Sequence, residues 1–171
     1  MVVNRQSRVG LDLSALRAYV RRLGRALRLP ARGFNICLVS DREIERLNAR
    51  YRGQRHPTDV LSFRWAADGP PGGPGRRGVP ARRARRPKRS KPARRPRLSR
   101  PGGREFAGFL GDIVISAETA RRNARAARHS TAREIRWLVL HGVLHLMGYD
   151  HETDAGQMTA LELAWRDKLG V

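Results

Sequence analysis

The length, composition and charge of the chain limit the kinds of protein it can be. Its 171 residues are enough for one domain with one core, and its single cysteine, Cys37, excludes a disulfide within the chain. No stretch reaches the roughly 18 apolar residues of a membrane span, and residues 1–13 lack the apolar region of a secretory signal. The composition predicts a soluble, cytoplasmic protein without a disulfide partner.

The net charge of +21 favours an anionic partner such as RNA, because Lys and Arg release counterions when they neutralise phosphates. Residues 69–104, however, hold 14 basic residues and no acidic one, so the remainder carries 22 basic against 15 acidic residues, or +7. The basic residues are 33 Arg and 3 Lys among abundant Ala, Gly and Pro, a mixture that GC-rich coding also produces. The charge agrees with RNA binding without establishing it.

Apolar periodicity and capping signals predict helices and strands that follow one another without regular βα alternation. This order favours an α+β fold in which a small mixed β-sheet packs against helices. The predicted elements are, in chain order, an edge strand around Val2 and Val3, a helix from Asp12 or Ser14 to about Leu27, a strand over Phe34–Val39, a helix from Ser40 to about Ala49, strands over Asp59–Trp65 and Leu110–Ile115, a helix from Ser116 to about Ala127, a helix over Ala132–Met147, and a last helix capped by Thr153 or Asp154.

Two helix starts have the spacing of a capping box, in which a hydroxyl and a carboxylate three residues later satisfy each other's backbone N–H groups. Ser40 and Glu43 show this spacing at the second predicted helix. Thr131 and Glu134 show it before the helix that ends at Met147. Both pairs are predicted to begin their helices.

Residues 69–104 differ in composition from the rest of the chain. They contain 8 of the 10 prolines and 7 of the 17 glycines, and their only large aliphatic residues are Val79 and Leu98. Such a segment cannot bury enough apolar surface to offset its conformational entropy, so it is predicted to be a disordered insertion within the single domain 1–171. It is either a basic arm that grips RNA or a tolerated surface insertion.

Three of the five histidines stand in the string HGVLHLMGYDH, residues 141–151. Four residues turn a helix by about 400°, so His141 and His145 stand within about 40° of each other on one helix face. Gly148 permits the left-handed conformation that ends a helix, and the chain can then return His151 to the same point. Three imidazoles with a fourth position left open are typical of a catalytic zinc site with one Zn²⁺ per chain.

The same histidine spacing occurs in the metzincin proteases, where a glutamate follows the first histidine and acts as general base. Gly142 stands at that position here and has no side chain. A protease of this kind would need its base from elsewhere in the fold, so peptide hydrolysis is the less favoured alternative.

The string from His141 to His151 resembles the YbeY family of single-domain, metal-dependent endoribonucleases. Residues 51–53 (YRG), 58–63 (TDVLSF) and 110–113 (LGDI) share the resemblance. It covers about 135 of the 171 residues, all those outside the insertion. The chain departs from the family at Arg64, where a proline usually follows the Ser-Phe pair, and in the length of the insertion.

The resemblance implies a zincin-like metal helix in which His141, His145 and His151 bind zinc, and it assigns the functionally important arginine to Arg52. It implies a zinc-dependent, single-strand-specific endoribonuclease that acts in ribosomal RNA maturation, at the 3′ end of 16S rRNA, and in ribosome quality control. The partners would be ribosomal RNA and ribosomal particles. Two alternatives stay open: another metal hydrolase such as a protease, and a ribosome-binding module whose zinc is purely structural.

An arginine suits RNA cleavage because its guanidinium matches phosphate oxygens bidentately and keeps its proton. By sequence alone, Arg50, Arg55 and Arg64 are as eligible as Arg52, which is expected in a loop before a strand. Four further polar residues have less specific roles. Asp59 and Asp112 either position loops that face the metal or form ordinary turn hydrogen bonds, and His56 and His129 are expected at the surface.

Overall fold

The structure, a computed structural model, describes residues 1–65, 108–149 and 156–171. Within these ranges four strands and five helices confirm the predicted α+β fold, a small mixed sheet with helices packed against it. The elements are β1 (Val2–Asn4), α1 (Leu13–Ala26), β2 (Phe34–Val39), α2 (Asp41–Arg52), β3 (Val60–Arg64), β4 (Gly111–Ser116), α3 (Ala117–Ala126), α4 (Thr131–Met147) and α5 (Gln157–Leu169).

The sheet has the order β1-β2-β4-β3. Strands β1, β2 and β4 are parallel, with Ile36 opposite Ile113, whereas β3 is antiparallel to β4, with Ser62 also opposite Ile113. Gly111 on β4 has a φ of +150°, and a Cβ there would lie 2.1 Å from the carbonyl oxygen of Phe63. Only glycine therefore permits the close approach of β3 to β4 at this point.

Side chains alternate between the two faces of the sheet, as strand geometry requires. One face forms the main core with helices α1 and α4, and α2 covers the other. The main core includes Leu23, Ile36, Leu38, Ile113, Ile115, Leu140 and Leu144, and the smaller one consists of Val39, Ile44, Leu61 and Val114, with Cys37 packed against it.

Three of the four predicted helix starts that the structure describes, those of α1, α2 and α3, agree with the observed N-caps. Asp12 rather than Ser14 caps α1, and its carboxylate accepts from the backbone N–H groups of Ser14 and Ala15 at 2.9 and 3.0 Å. Ser40 caps α2 through the N–H of Glu43 at 3.3 Å.

The predicted capping box of Thr131 and Glu134 is wrong. Ser130 caps α4, accepting from the N–H of Arg133, and Thr131 is the first helical residue. The carboxylate of Glu134 lies instead 3.2 Å from Nε2 of His129, and the two side chains are only 11% and 9% exposed. The prediction that His129 lies at the surface is therefore also wrong, because its ring packs edge-on against Trp137.

Helix α2 is longer than predicted. It continues past Ala49 to Arg52 and ends at Gly53, whose φ of +73° is the left-handed conformation that glycine adopts cheaply. Arg52 therefore lies in the last turn of a helix and not in a loop, since no Gly or Pro interrupts the chain before residue 53.

The insertion 69–104 and the predicted caps of the last helix, Thr153 and Asp154, lie outside the described residues. The single-domain organisation of residues 1–171 stays a prediction. In the part of the chain that the structure describes, no helix is both long and apolar enough to span a membrane.

Candidate metal centre

A cleft of about 310 Å³ lies between helix α4 and the edge strand β3. Alternate residues of β3 face it, and the hydroxyl of Ser62 donates to the carbonyl of Gly142 on α4 at 3.4 Å. The cleft is lined by Arg52, Thr58, Asp59, Val60, Ser62, Arg64, His141, His145 and Leu146. Two of the three predicted zinc ligands and the predicted arginine therefore converge on one site.

The imidazoles of His141 and His145 meet at their Nε2 atoms, which lie 3.1 Å apart. The ring planes are inclined by 78° and the ring centroids are 4.6 Å apart. Two nitrogens at this separation, each at the usual zinc distance of about 2.05 Å, subtend about 100° at the metal, close to the tetrahedral angle. The pair has the spacing of two ligands of one zinc ion.

The Nδ1 atoms of both rings face oxygen acceptors. Nδ1 of His141 lies 3.1 Å from Oε2 of Glu162, and Nδ1 of His145 lies 3.0 Å from the carbonyl oxygen of Tyr149. An ionised carboxylate and a carbonyl can only accept, so these contacts favour a proton on Nδ1, and in a neutral imidazole Nε2 then has the lone pair. Two such lone pairs facing each other at 3.1 Å can bind one cation between them, so the donor set fits a metal ion.

Burial opposes ionisation of the carboxyl of Glu162, whose side chain is 9% exposed. The hydrogen bond from His141 and the positive charge of Arg166 more than compensate, and the pKa of Glu162 is lowered below its ordinary value. Glu162 therefore stands beside His141 as an anion, the state that best accepts a hydrogen bond from a ligand imidazole.

The third predicted ligand, His151, lies outside the described residues. Within the ranges 1–65, 108–149 and 156–171, no group of three His, Cys, Asp or Glu side chains is placed to hold a metal ion. The described residues thus supply two of the three predicted ligands, and the complete zinc site stays a prediction.

Gly142 lies where α4 touches the sheet. A Cβ at this position would stand 2.9 Å from Cγ2 of Ile113 and 3.1 Å from Oγ of Ser62. A glutamate at residue 142, as in the metzincins, has no room in this packing. The sequence showed that the general base is missing there, and the structure gives the reason: this face of the helix rests directly on β3 and β4.

Of the four eligible arginines, Arg52 and Arg64 line the cleft. Arg64 is the last residue of β3 and is exposed, and its Nη1 atom would lie 3.2 Å from a Cβ at Gly148. Arg50 instead lies over the ring of Tyr51, with Cζ 5.5 Å from the ring centroid. Nothing in the sequence favours Arg64 over Arg50 or Arg55. In the structure, Arg64 lies on the same face of β3 as Ser62, the face that points to α4.

The remaining polar candidates form local hydrogen bonds. Asp59 lines the cleft, but its Oδ1 atom accepts a hydrogen bond of 2.8 Å from the backbone N–H of Val60, the first residue of β3. Asp112 accepts from the side-chain amide of Asn35 on the neighbouring strand at 2.9 Å. His56 is exposed, as predicted. These contacts favour the structural alternative for both aspartates.

Glu162 was missed by sequence reasoning. The sequence feature that could have indicated Glu162 is its position one turn after Met158, on the inner side of α5, where a buried carboxylate needs a partner.

A second cleft, about 690 Å³ in volume, lies against α1 and the ends of β1 and β2. It is larger, but its lining within the described residues contains no His, Cys, Asp or Glu, so of these two clefts only the smaller offers side chains that commonly bind zinc.

Comparison with known proteins confirms the resemblance. A sequence model described as endoribonuclease YbeY matches residues 2–170. The endoribonuclease YbeY of Solibacter usitatus is 35% identical over 170 residues, which cover 99% of this chain and 88% of the relative. That of a Picosynechococcus species is 35% identical over 140 residues, 78% of this chain and 66% of the relative.

A solution structure of a Thermotoga maritima protein has the same fold, with a TM-score of 0.55 and 23% identity over 99% of this chain and 89% of that one. The match of the family model over nearly the whole chain, together with the identity to curated relatives, is decisive. The chain belongs to the endoribonuclease YbeY family.

Proposed function

We propose that the protein is a zinc-dependent endoribonuclease that cuts single-stranded RNA in the cytoplasm. Its role would lie in ribosomal RNA maturation, at the 3′ end of 16S rRNA, and in ribosome quality control, with ribosomal RNA and ribosomal particles as partners. Membership of an endoribonuclease family supports the reaction class. The observation that carries the zinc dependence is the pair of Nε2 atoms 3.1 Å apart, each on a ring whose Nδ1 faces an acceptor.

His141 and His145, together with His151, would hold one zinc ion. When bound, zinc supplies a Lewis acid that activates water and polarises a phosphoryl oxygen. The protein's part is to hold both imidazoles in one tautomer before the metal arrives. Glu162 and the carbonyl of Tyr149 do this through Nδ1.

Arg52 and Arg64 give the cleft its affinity for phosphate. Negative charge spreads over the equatorial oxygens of the phosphoryl group during cleavage, and a guanidinium in the cleft stabilises it. Arg52 is assigned this role, and Arg64, at the end of β3, would contact a neighbouring phosphate of the strand.

Cleavage of a labelled single-stranded RNA that carries the 3′ region of 16S rRNA tests the proposal. The protein must be free of contaminating ribonuclease, and a duplex of the same sequence is the substrate control. We expect cleavage of the single strand, loss of cleavage on chelation and recovery with Zn²⁺. The variant His145→Ala should lose both zinc and activity, whereas His56→Ala, which removes an exposed histidine outside the cleft, should keep both.

Three results would contradict the proposal. Cleavage that persists in His145→Ala or after chelation would remove the zinc. Hydrolysis of casein without cleavage of RNA would indicate a metal-dependent protease. RNA binding without turnover, with a zinc whose four positions are all filled by protein, would indicate a binding module.

A further inference from the structure

Helices α4 and α5 face each other through two matched pairs of side chains. On α4, Trp137 stands one turn before His141, and on α5, Glu162 stands one turn before Arg166. His141 contacts Glu162 through Nδ1 and Oε2 at 3.1 Å. Arg166 lies over Trp137, with Cζ 4.1 Å from the ring centroid. Each of the two side chains on α4 thus contacts one of the two side chains on α5.

The two pairs are joined within α5 by an ion pair. The guanidinium of Arg166 donates to Oε1 of Glu162, the oxygen that does not face His141. Both oxygens of this carboxylate are therefore engaged, one by the metal-site histidine and one by the arginine. With a side chain only 9% exposed, Glu162 has little freedom to turn away from either partner.

The stacking of Arg166 on Trp137 fixes the far end of this chain of contacts. A guanidinium over an indole ring is held by cation–π attraction, which is strongest when water is excluded. Trp137 is partly buried against the main core, so the ring is itself anchored. The contacts run without interruption from the core, through Trp137, Arg166 and Glu162, to the ligand His141.

We infer that Glu162 is a positioning residue of the metal centre, held by Arg166 and Trp137, and that helix α5 thereby orients the imidazole of His141. The inference rests on the proposed binding of zinc by His141. Glu162 touches neither RNA nor metal in this role. It keeps the proton of His141 on Nδ1 and aims Nε2 at His145, so the metal site is formed before the metal binds.

The test compares zinc affinities, measured by competition with a chromophoric chelator, of the wild type and of Glu162→Gln and Glu162→Ala. We expect zinc to bind about 10-fold more weakly to the glutamine variant and up to about 100-fold more weakly to the alanine variant. The variant Asp167→Asn, which removes a negative charge from an exposed position of the same helix, should bind zinc as the wild type does.

Arg166→Met tests the support for Glu162. It should weaken zinc binding in the same direction, and the double variant Arg166→Met/Glu162→Ala should be no worse than Glu162→Ala alone, because Arg166 acts through Glu162. Additive losses would overturn this part of the inference.

A purely structural role is separated by two readouts on the metal-free protein. Far-UV circular dichroism and thermal unfolding establish that each variant is folded, and long-range ¹H–¹⁵N spectra report the tautomer of His141. We expect the Nδ1-protonated form in the wild type and a mixture in Glu162→Ala. A lowered melting temperature with unchanged zinc affinity and an unchanged tautomer would overturn the inference.

Failure of the proposed function is a separate result. Wild-type protein that binds zinc but cleaves no RNA would overturn the endoribonuclease proposal and leave the comparison of zinc affinities intact. Wild-type protein that binds no zinc would overturn the zinc site itself, whereas the tautomer spectra would still test the contact between Glu162 and His141.

Discussion

Gly142 shows how a single absent side chain decides both packing and chemistry. A Cβ at residue 142 would stand 2.9 and 3.0 Å from two carbon atoms of Ile113, which is fully buried. Helix propensity alone would make Gly142→Ala stabilising by about 1 kcal/mol. We expect the clash to exceed this gain and to lower the free energy of unfolding by about 1–2 kcal/mol, measured by urea denaturation.

Gly24→Ala is the matched control for this prediction. Gly24 lies inside α1, and a Cβ there would meet nothing within 4 Å. The same substitution should therefore raise the free energy of unfolding by about 0.5–1 kcal/mol. Equal signs for the two variants would show that the packing of α4 against β4 can accommodate the added methyl group, which contradicts the clash.

Arg52→Ala separates catalysis from metal binding. Loss of one hydrogen-bond donor to the transition state costs about 10²–10³ in kcat. We expect that loss in RNA cleavage, with wild-type zinc content by elemental analysis and a wild-type melting temperature. Arg55→Ala, the corresponding change at an exposed arginine nearby, should cleave at the wild-type rate. Full activity of Arg52→Ala would remove the assignment.

The residues of the site could be predicted from sequence to different degrees. The proximity of His141 and His145 follows from helix periodicity, a local property, and the structure shows them together. The convergence of Arg52 and Arg64 with these histidines depends on the pairing of β3 with β4, which no local pattern specifies. The burial of His129 was missed because the polar string around it gives no sign of the Trp137 ring that covers it.

The junction of α2, β4 and α3 is held by two carboxylates, those of Asp41 and Glu118. Asp41, the first residue of α2, accepts from the hydroxyls of Ser116 and Thr119 and from the guanidinium of Arg122. In return, Glu118 of α3 accepts from the backbone N–H of Asp41 at 2.8 Å. Burial opposes ionisation of Asp41, but these donors prevail and lower its pKa below the ordinary 3.8.

Asp41→Asn should therefore destabilise the protein in a pH-dependent way. A folded-state pKa below the unfolded value means that the contribution is fully present above pH 3.8 and is lost as the pH falls through the folded pKa. We expect a loss of about 1–2 kcal/mol at pH 7, since Arg122 is exposed and its part is screened, and a smaller difference from wild type near pH 3. Urea denaturation at both pH values measures the difference in the free energy of unfolding. A difference that does not change with pH would contradict the lowered pKa of Asp41.

Capping signals predicted helix starts well where one candidate stood alone. Ser40 is such a case and caps α2. Before α4 two hydroxyls are adjacent, and the spacing of Thr131 to Glu134 favoured the wrong one. The carboxylate of Glu134 lies 3.2 Å from Nε2 of His129 instead, a side-chain contact that the capping-box spacing does not anticipate.

At the scale of the molecule, the sequence indicated an α+β class but not the order of the strands. Three parallel strands and one antiparallel edge strand are joined by contacts between residues far apart in sequence, such as Phe34 with Gly111. Local periodicity contains no information about such pairing. The order nevertheless positions the candidate site, because it sets β3 beside α4 and so forms the cleft.

Deletion of residues 69–104 tests the insertion. The backbone N–H of Trp65 donates to the carbonyl of Leu110 at 2.7 Å, so the chain on either side is adjacent and a short connection can replace the insertion. Each phosphate contact adds about 0.7 to the slope of log affinity against log salt for single strands. With 14 basic residues removed, we expect a shallower slope for RNA binding. An unchanged salt dependence would mean that residues 69–104 are a tolerated surface insertion that does not bind RNA.

X-ray absorption spectroscopy at the zinc edge of the loaded protein tests the central claim most directly. We expect one zinc per chain with three imidazole nitrogens at about 2.0–2.1 Å and one further light ligand that is not an imidazole. His145→Ala should lose this spectrum. A spectrum with fewer imidazoles, or with four ligands all from protein, would contradict a metal centre that has room for a reacting phosphate.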